Sequence, residues 1–146
     1  MPEGAFIVVD LGKTLSKVSL WSRDGRCLEK LTRANQPQPA APCVPLDLAA
    51  TADWVVATLS QFAAHPVEAI VPVAHGAEVA GIRHGVLAFA PLDYEWEVPA
   101  EVLAAYRAQR DPFTVTGSPP LPAGLNFGAQ LHFLETLGSF EGVTLM

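Results

Sequence analysis

The stretch from Phe6 to Trp21 constrains the fold more than any other part of the chain. An apolar run, Phe6 to Val9, ends in Asp10; alternation then resumes, with Val18 and Leu20 on one face and Lys17, Ser19 and Trp21 on the other. Period-2 alternation of this kind predicts strand, polar turn, strand. The turn region gathers the Asp10 carboxylate, Gly12, the hydroxyls of Thr14 and Ser16, and two of the chain's three lysines, Lys13 and Lys17. In a chain of formal net charge -6 this is a local positive site. Backbone N–H groups, hydroxyls and ammonium groups held in one turn suit phosphate. The plainer alternative is a solvated hairpin with a charged tip.

Gly12-Lys13-Thr14 also spells the end of a P-loop. That motif requires a glycine where Ile7 stands and a helix next, whose N-terminus would face the phosphates. The alternation over 16–21 opposes a helix, so the Walker-type reading fails on both counts.

With 146 residues, 50% of them hydrophobic, the chain is long enough for one domain with a real core. Mean hydropathy is +0.27, yet no apolar run approaches the ~20 residues needed to span a bilayer. Met1-Pro2-Glu3-Gly4 lacks the basic start and long apolar segment of a signal peptide, so no membrane association is expected. Cys27 and Cys43 sit in no metal-ligand spacing, which makes a reducing cytoplasm the expected compartment. The nine basic residues are scattered, which argues against nucleic acid as a partner.

Along the chain, Ser22 to Gly25 reads as a turn and Cys27 to Arg33 as a third strand, completing an antiparallel meander over 5–33. Prolines at 37, 39, 42 and 45 mark a linker. Ala50 to Ala64 reads as a helix with Val55, Leu59 and Phe62 on one buried stripe, extended by Trp54. Glu68 to Ala74 follows as a strand containing Pro72. Helix-to-strand alternation implies a parallel crossover onto the meander, hence an α/β sheet. His75-Gly76 then falls at that strand's C-terminal end, as Asp10 does at the first strand's, where ligands of open α/β sheets gather in one cleft. Strands over 78–82 and 86–90 are expected to pair across Arg83-His84-Gly85, with His84 a solvated loop residue. Pro91 to Glu97 is loop-like, Pro99 to Gln109 a helix with Val102 and Tyr106 on one face, and Phe113 to Pro122 an irregular loop. Asn126 is positioned to cap a last helix striped by Phe127, Leu131 and Leu134, with His132 off the stripe. Gly142 to Met146 reads as the start of a strand.

Asp10 to Lys17 resembles the first phosphate loop of the FGGY-type carbohydrate kinases, in the superfamily of sugar kinases, heat-shock chaperones and actin. Ala69 to Gly76, Pro91 to Glu95 and Thr116 to Pro122 resemble later family segments, in the expected order. The resemblance implies a ribonuclease H-like, actin-like ATPase lobe: a mixed sheet with an N-terminal antiparallel meander, flanked by helices. It covers only the first part of the first of two lobes, so a truncated or incomplete chain is expected, the rest of that lobe and the second lobe lying outside it.

The resemblance further implies ATP and Mg2+ as cofactors, and a sugar, ketose or polyol as phosphoryl acceptor. Gly12 would let the backbone approach the terminal phosphates, with Thr14 and Ser16 donating hydroxyl hydrogen bonds and Lys13 and Lys17 supplying charge. Asp10 would help hold magnesium through water. Many related loops carry threonine or serine where Lys13 stands. His75 and Gly76 match a sugar-contacting segment, and Asp93, Tyr94, Glu95 and Asn126 are further substrate candidates; for each, loop capping and hydration is the alternative. The family's catalytic base lies beyond residue 146, so no catalytic residue is assigned here, and the isolated chain is expected to be inactive. A homodimer is an assembly the family admits. Two other readings stand beside the kinase: a non-catalytic binding or regulatory module on an actin-like fold, and a sugar-responsive regulator.

Overall fold

The structure, a computed structural model, describes residues 4–35, 47–74, 76–89, 91–138 and 140–146. The expected linker over 36–45, Cys43 and His75 lie outside the described residues. The described residues divide into two compact units, one within 4–76 and the other within 77–146.

In the first unit, β1 (Ala5–Leu11), β2 (Leu15–Ser22) and β3 (Cys27–Ala34) form the expected meander. Helix α1 (Leu48–Gln61) leads to β4 (Val67–Ala74), and the strand order is β3-β2-β1-β4. β1 pairs antiparallel with β2 and parallel with β4, so the crossover inferred from helix-to-strand alternation is present. Pro72 lies opposite Val9 on β4, an edge strand among the described residues, where a missing N–H is tolerated.

Alternation decides the core. Ala5, Ile7, Val9, Val18 and Leu20 face one side and are buried together with Phe62, and Trp54, Val55 and Leu59 of α1 pack against them. The helix starts two residues before the expected Ala50 because Asp47 caps it: its Oδ1 accepts from Ala50 N at 3.0 Å, satisfying an otherwise orphan donor. Arg33 ties β3 to the same helix by donating to Ala50 O at 2.6 Å.

The second unit holds β5 (Gly81–Arg83), β6 (Val86–Phe89) and β7 (Thr144–Leu145) in the order β6-β5-β7, with helices α2 (Ala100–Gln109), α3 (Phe113–Thr116) and α4 (Phe127–Leu137). His84 and Gly85 have φ of 52° and 78°, the paired left-handed geometry of a two-residue hairpin turn. β5 is shorter than the expected strand over 78–82, and the expected loop over 113–122 contains α3. Leu92, Val98, Ala129, Phe133 and Leu134 form this unit's core, with Val102 and Tyr106 of α2 against it as expected.

Two expectations for α4 are corrected. Its buried face is Ala129, Gln130, Phe133 and Leu134, while Phe127 is 55% exposed. The expected stripe shares Leu134 with this face, but apolar spacing left no place for a buried glutamine. Asn126 occupies the N-cap position without a side-chain cap bond; its amide is spent on the preceding loop instead, as described below.

Candidate phosphate and substrate sites

The turn between β1 and β2 is short and held from both ends. Gly12 N donates to Leu15 O at 3.1 Å. A Cβ on Gly12 would stand 2.9 Å from that carbonyl, so glycine is required by the chain's own close approach. Across the register, Asp10 faces Lys17, and Lys17 Nζ lies 2.8 Å from Asp10 Oδ2. Both side chains are about one-third exposed, at 39% for Lys17 and 35% for Asp10, so the pair remains open to solvent and its charges are open to exchange. Thr14 at the tip is exposed.

Asn35 is the residue that motif reading missed. Its Nδ2 donates to Gly12 O at 2.6 Å, its Oδ1 accepts from Ser16 Oγ at 2.9 Å, and its backbone N donates to Thr14 O at 2.9 Å. One residue just past β3 thus fixes three positions of the loop, two through its side chain and one through its backbone. Ser16 is fully buried, and its hydroxyl proton goes to Asn35. In this structure Ser16 therefore shapes the loop, while Gly12, Lys13, Thr14 and Lys17 make up its outward part.

A single carboxylate suits Mg2+ in this setting, since that ion is commonly held by one or two carboxylates with phosphate oxygens and water completing the shell. Among the described residues no cluster of three or more His, Cys, Asp or Glu could hold a metal alone. Asp10 could supply one carboxylate to such an ion, with the rest of the shell coming from elsewhere.

Gly76 follows β4, whose last residues lie beside Asp10 and Leu11 in parallel register. A Cβ there would meet nothing within 4 Å, which leaves open space at that strand end.

The remaining substrate candidates belong to the second unit. Asp93 Oδ1 accepts from Glu95 N at 2.8 Å, and Trp96 N donates to Asp93 O at 3.0 Å; the aspartate thus closes its own turn. Tyr94 O accepts from Gly124 N at 3.0 Å. Asn126 stitches the proline-rich loop: Oδ1 accepts from Leu121 N at 2.8 Å, and Nδ2 donates to Pro119 O at 3.1 Å and Ser118 Oγ at 3.2 Å. It borders a cavity of about 330 Å³ with Tyr106, Arg110 and Leu125. Arg110 closes one side, donating from Nη2 to Ser118 O at 2.6 Å with its guanidinium over the Tyr106 ring.

Gln130 is the other residue missed. It is fully buried, and its Nε2 donates to Ala77 O at 2.6 Å and Gly124 O at 2.5 Å. Two carbonyl partners leave no ambiguity about which end of the amide is nitrogen. Oε1 is buried with no hydrogen-bond partner among the described residues, a cost of about 1–3 kcal/mol. Ala77, at the far end of one of these bonds, has φ of 61°, a left-handed conformation uncommon for a residue with a Cβ.

The comparisons with known proteins agree with this architecture. No family profile and no curated protein sequence matches the chain. Among solved structures, a carbohydrate kinase from Novosphingobium aromaticivorans is 51% identical, with a TM-score of 0.93 over all of this chain and 32% of its own. Over its whole length the chain is similar in sequence and fold to part of that carbohydrate kinase. More distant kinases share the fold: a gluconate kinase from Lactobacillus acidophilus (15% identity, TM-score 0.81, 98% of this chain and 31% of that one) and a xylulose kinase from Rhodospirillum rubrum (17%, 0.80, 97% and 31%). The chain spans about a third of the length of these carbohydrate kinases. Among the described residues no helix is long and apolar enough to cross a membrane.

Proposed function

We propose that these residues form the nucleotide-gripping first part of a carbohydrate kinase, a protein that transfers the terminal phosphoryl group of ATP to a hydroxyl of a sugar, ketose or polyol. The observation carrying this reading is the Asn35-braced turn between β1 and β2, with Asp10 and Lys17 paired across its base. In the reaction the acceptor oxygen forms a bond to the terminal phosphorus of ATP and the bond from that phosphorus to ADP breaks. The hydroxyl proton passes to a base outside these 146 residues. Gly12, Lys13 and Thr14 hold the phosphate tail, and Lys17 balances its charge. Asp10 helps hold the Mg2+ that neutralises the phosphates. His75, Gly76, Asp93, Tyr94, Glu95 and Asn126 are assigned to the acceptor's surroundings. An exposed, unbridged Cys27 accords with a reducing cytoplasm.

The test uses the full-length protein with a panel of pentoses, deoxyhexoses, ketoses and polyols, and ADP release as readout. Turnover with at least one acceptor is expected, together with its loss in Asp10→Ala at unchanged far-UV circular dichroism. No turnover with any acceptor, or full activity in Asp10→Ala, overturns the reading. The 146-residue chain alone is expected to show no phosphorylation.

A further inference from the structure

Two unfavourable features meet at one hydrogen bond in the second unit. Ala77 is held left-handed at φ 61°, and Gln130 keeps a buried oxygen without a partner among the described residues while both hydrogens of its Nε2 are engaged. An apolar residue would fill a core position without that penalty, so what the glutamine supplies is its pair of donors. Those donors join segments far apart in sequence: Ala77, the residue after Gly76, and Gly124, whose own N–H donates to Tyr94 O at 3.0 Å. Strain and incomplete polar pairing kept in a core point to function rather than to stability.

We propose that Gln130 is a positioning residue for the phosphoryl acceptor, its amide holding Ala77 and, through Gly124, the Asp93–Glu95 turn in one frame. The inference rests on the kinase reading above and deepens it. Gln130 does not touch the acceptor, since it is wholly buried. It fixes the backbone of segments whose side chains are assigned to the acceptor. Binding of a polyhydroxylated molecule depends on several hydrogen-bonding groups staying in register, and small displacements of such groups weaken it steeply.

The test is steady-state kinetics of the full-length kinase in two variants. Gln130→Met keeps approximate volume and removes both donors. Gly124→Ala leaves Gln130 in place but puts a methyl group 3.2 Å from its Nε2 and 3.3 Å from Tyr94 Cα, which disturbs the frame from the other side. In both, KM for the sugar is expected to rise about tenfold while KM for ATP stays within about twofold of wild type. A residue that merely stabilised the fold would lower the amount of active enzyme and leave both KM values alone. Unchanged sugar KM in the variants that fold, or an equal rise for ATP, overturns the proposal. A wild-type protein active on no sugar or polyol removes the kinase reading and this inference with it, whereas an active wild type with unaltered variants removes this inference only.

Discussion

Asn35 shows how much one side chain can decide about a loop it does not belong to. Asn35→Ala leaves Gly12 O and the buried Ser16 hydroxyl without their partner. A loss of about 1–3 kcal/mol is expected in chemical denaturation, together with a rise in KM for ATP larger than that for sugar in the full-length protein. Gly12→Ala would bring a Cβ within 2.9 Å of Leu15 O; overpacking against backbone should cost about 1–3 kcal/mol, read in the same denaturation curves. The loop's own residue types were legible because turn chemistry is local: glycine, hydroxyls and lysines announce themselves within eight positions. Asn35 was not, because it returns to Gly12 from 23 positions away, and nothing in a turn's spacing says what will brace it. Gln130 was illegible for a different reason, since reading by hydrophobic spacing sends every glutamine to the surface.

At the scale of elements, β1, β2 and α1 were readable because each has one inward face and a clean period, whereas β4, exposed along nearly its whole length, was legible only as a short apolar, β-branched run. Helix α4 was readable as a helix, but its inward face was not fully so, since that stripe includes the polar Gln130. The junction of α1 with the sheet rests on Phe62, 1% exposed at the helix C-terminus. Phe62→Ala is expected to cost about 3–5 kcal/mol by opening a cavity among Ile7, Val18 and Leu20, measured by urea denaturation. A second element contact, Arg23 to Glu68, is bidentate, with Nε to Oε1 at 2.9 Å and Nη2 to Oε2 at 2.8 Å, joining the β2–β3 turn to β4. The Arg23 guanidinium lowers the Glu68 carboxyl from its ordinary value of 4.5. A carboxyl lowered on folding adds stability that is complete above the unfolded value and disappears as pH falls through the lower folded one. Thermal unfolding of wild type and Glu68→Gln should therefore differ above pH 5 and converge in more acid solution. A difference that persists at pH 2 would contradict the assigned role.

For the molecule as a whole, the two separate cores set the expected response to damage. Phe62→Ala should speed amide hydrogen exchange in β1, β2 and α1 more than in α4, and Phe133→Ala should do the reverse. Uniform loss in both variants would show one cooperative unit. The position of β1 between β2 and β4 carries a kinetic consequence. Its antiparallel neighbour follows it immediately in the chain, whereas its parallel neighbour begins only at Val67, paired with Ala5. Hairpin closure is a local event, and docking a strand across so long an intervening segment is slow. The bend between β1 and β2 can thus take shape in the nascent chain while the ribosome is still delivering α1, and the neighbouring edge is finished later. A destabilising change in the β1–β2 turn should slow refolding, and one in β4 should mainly hasten unfolding.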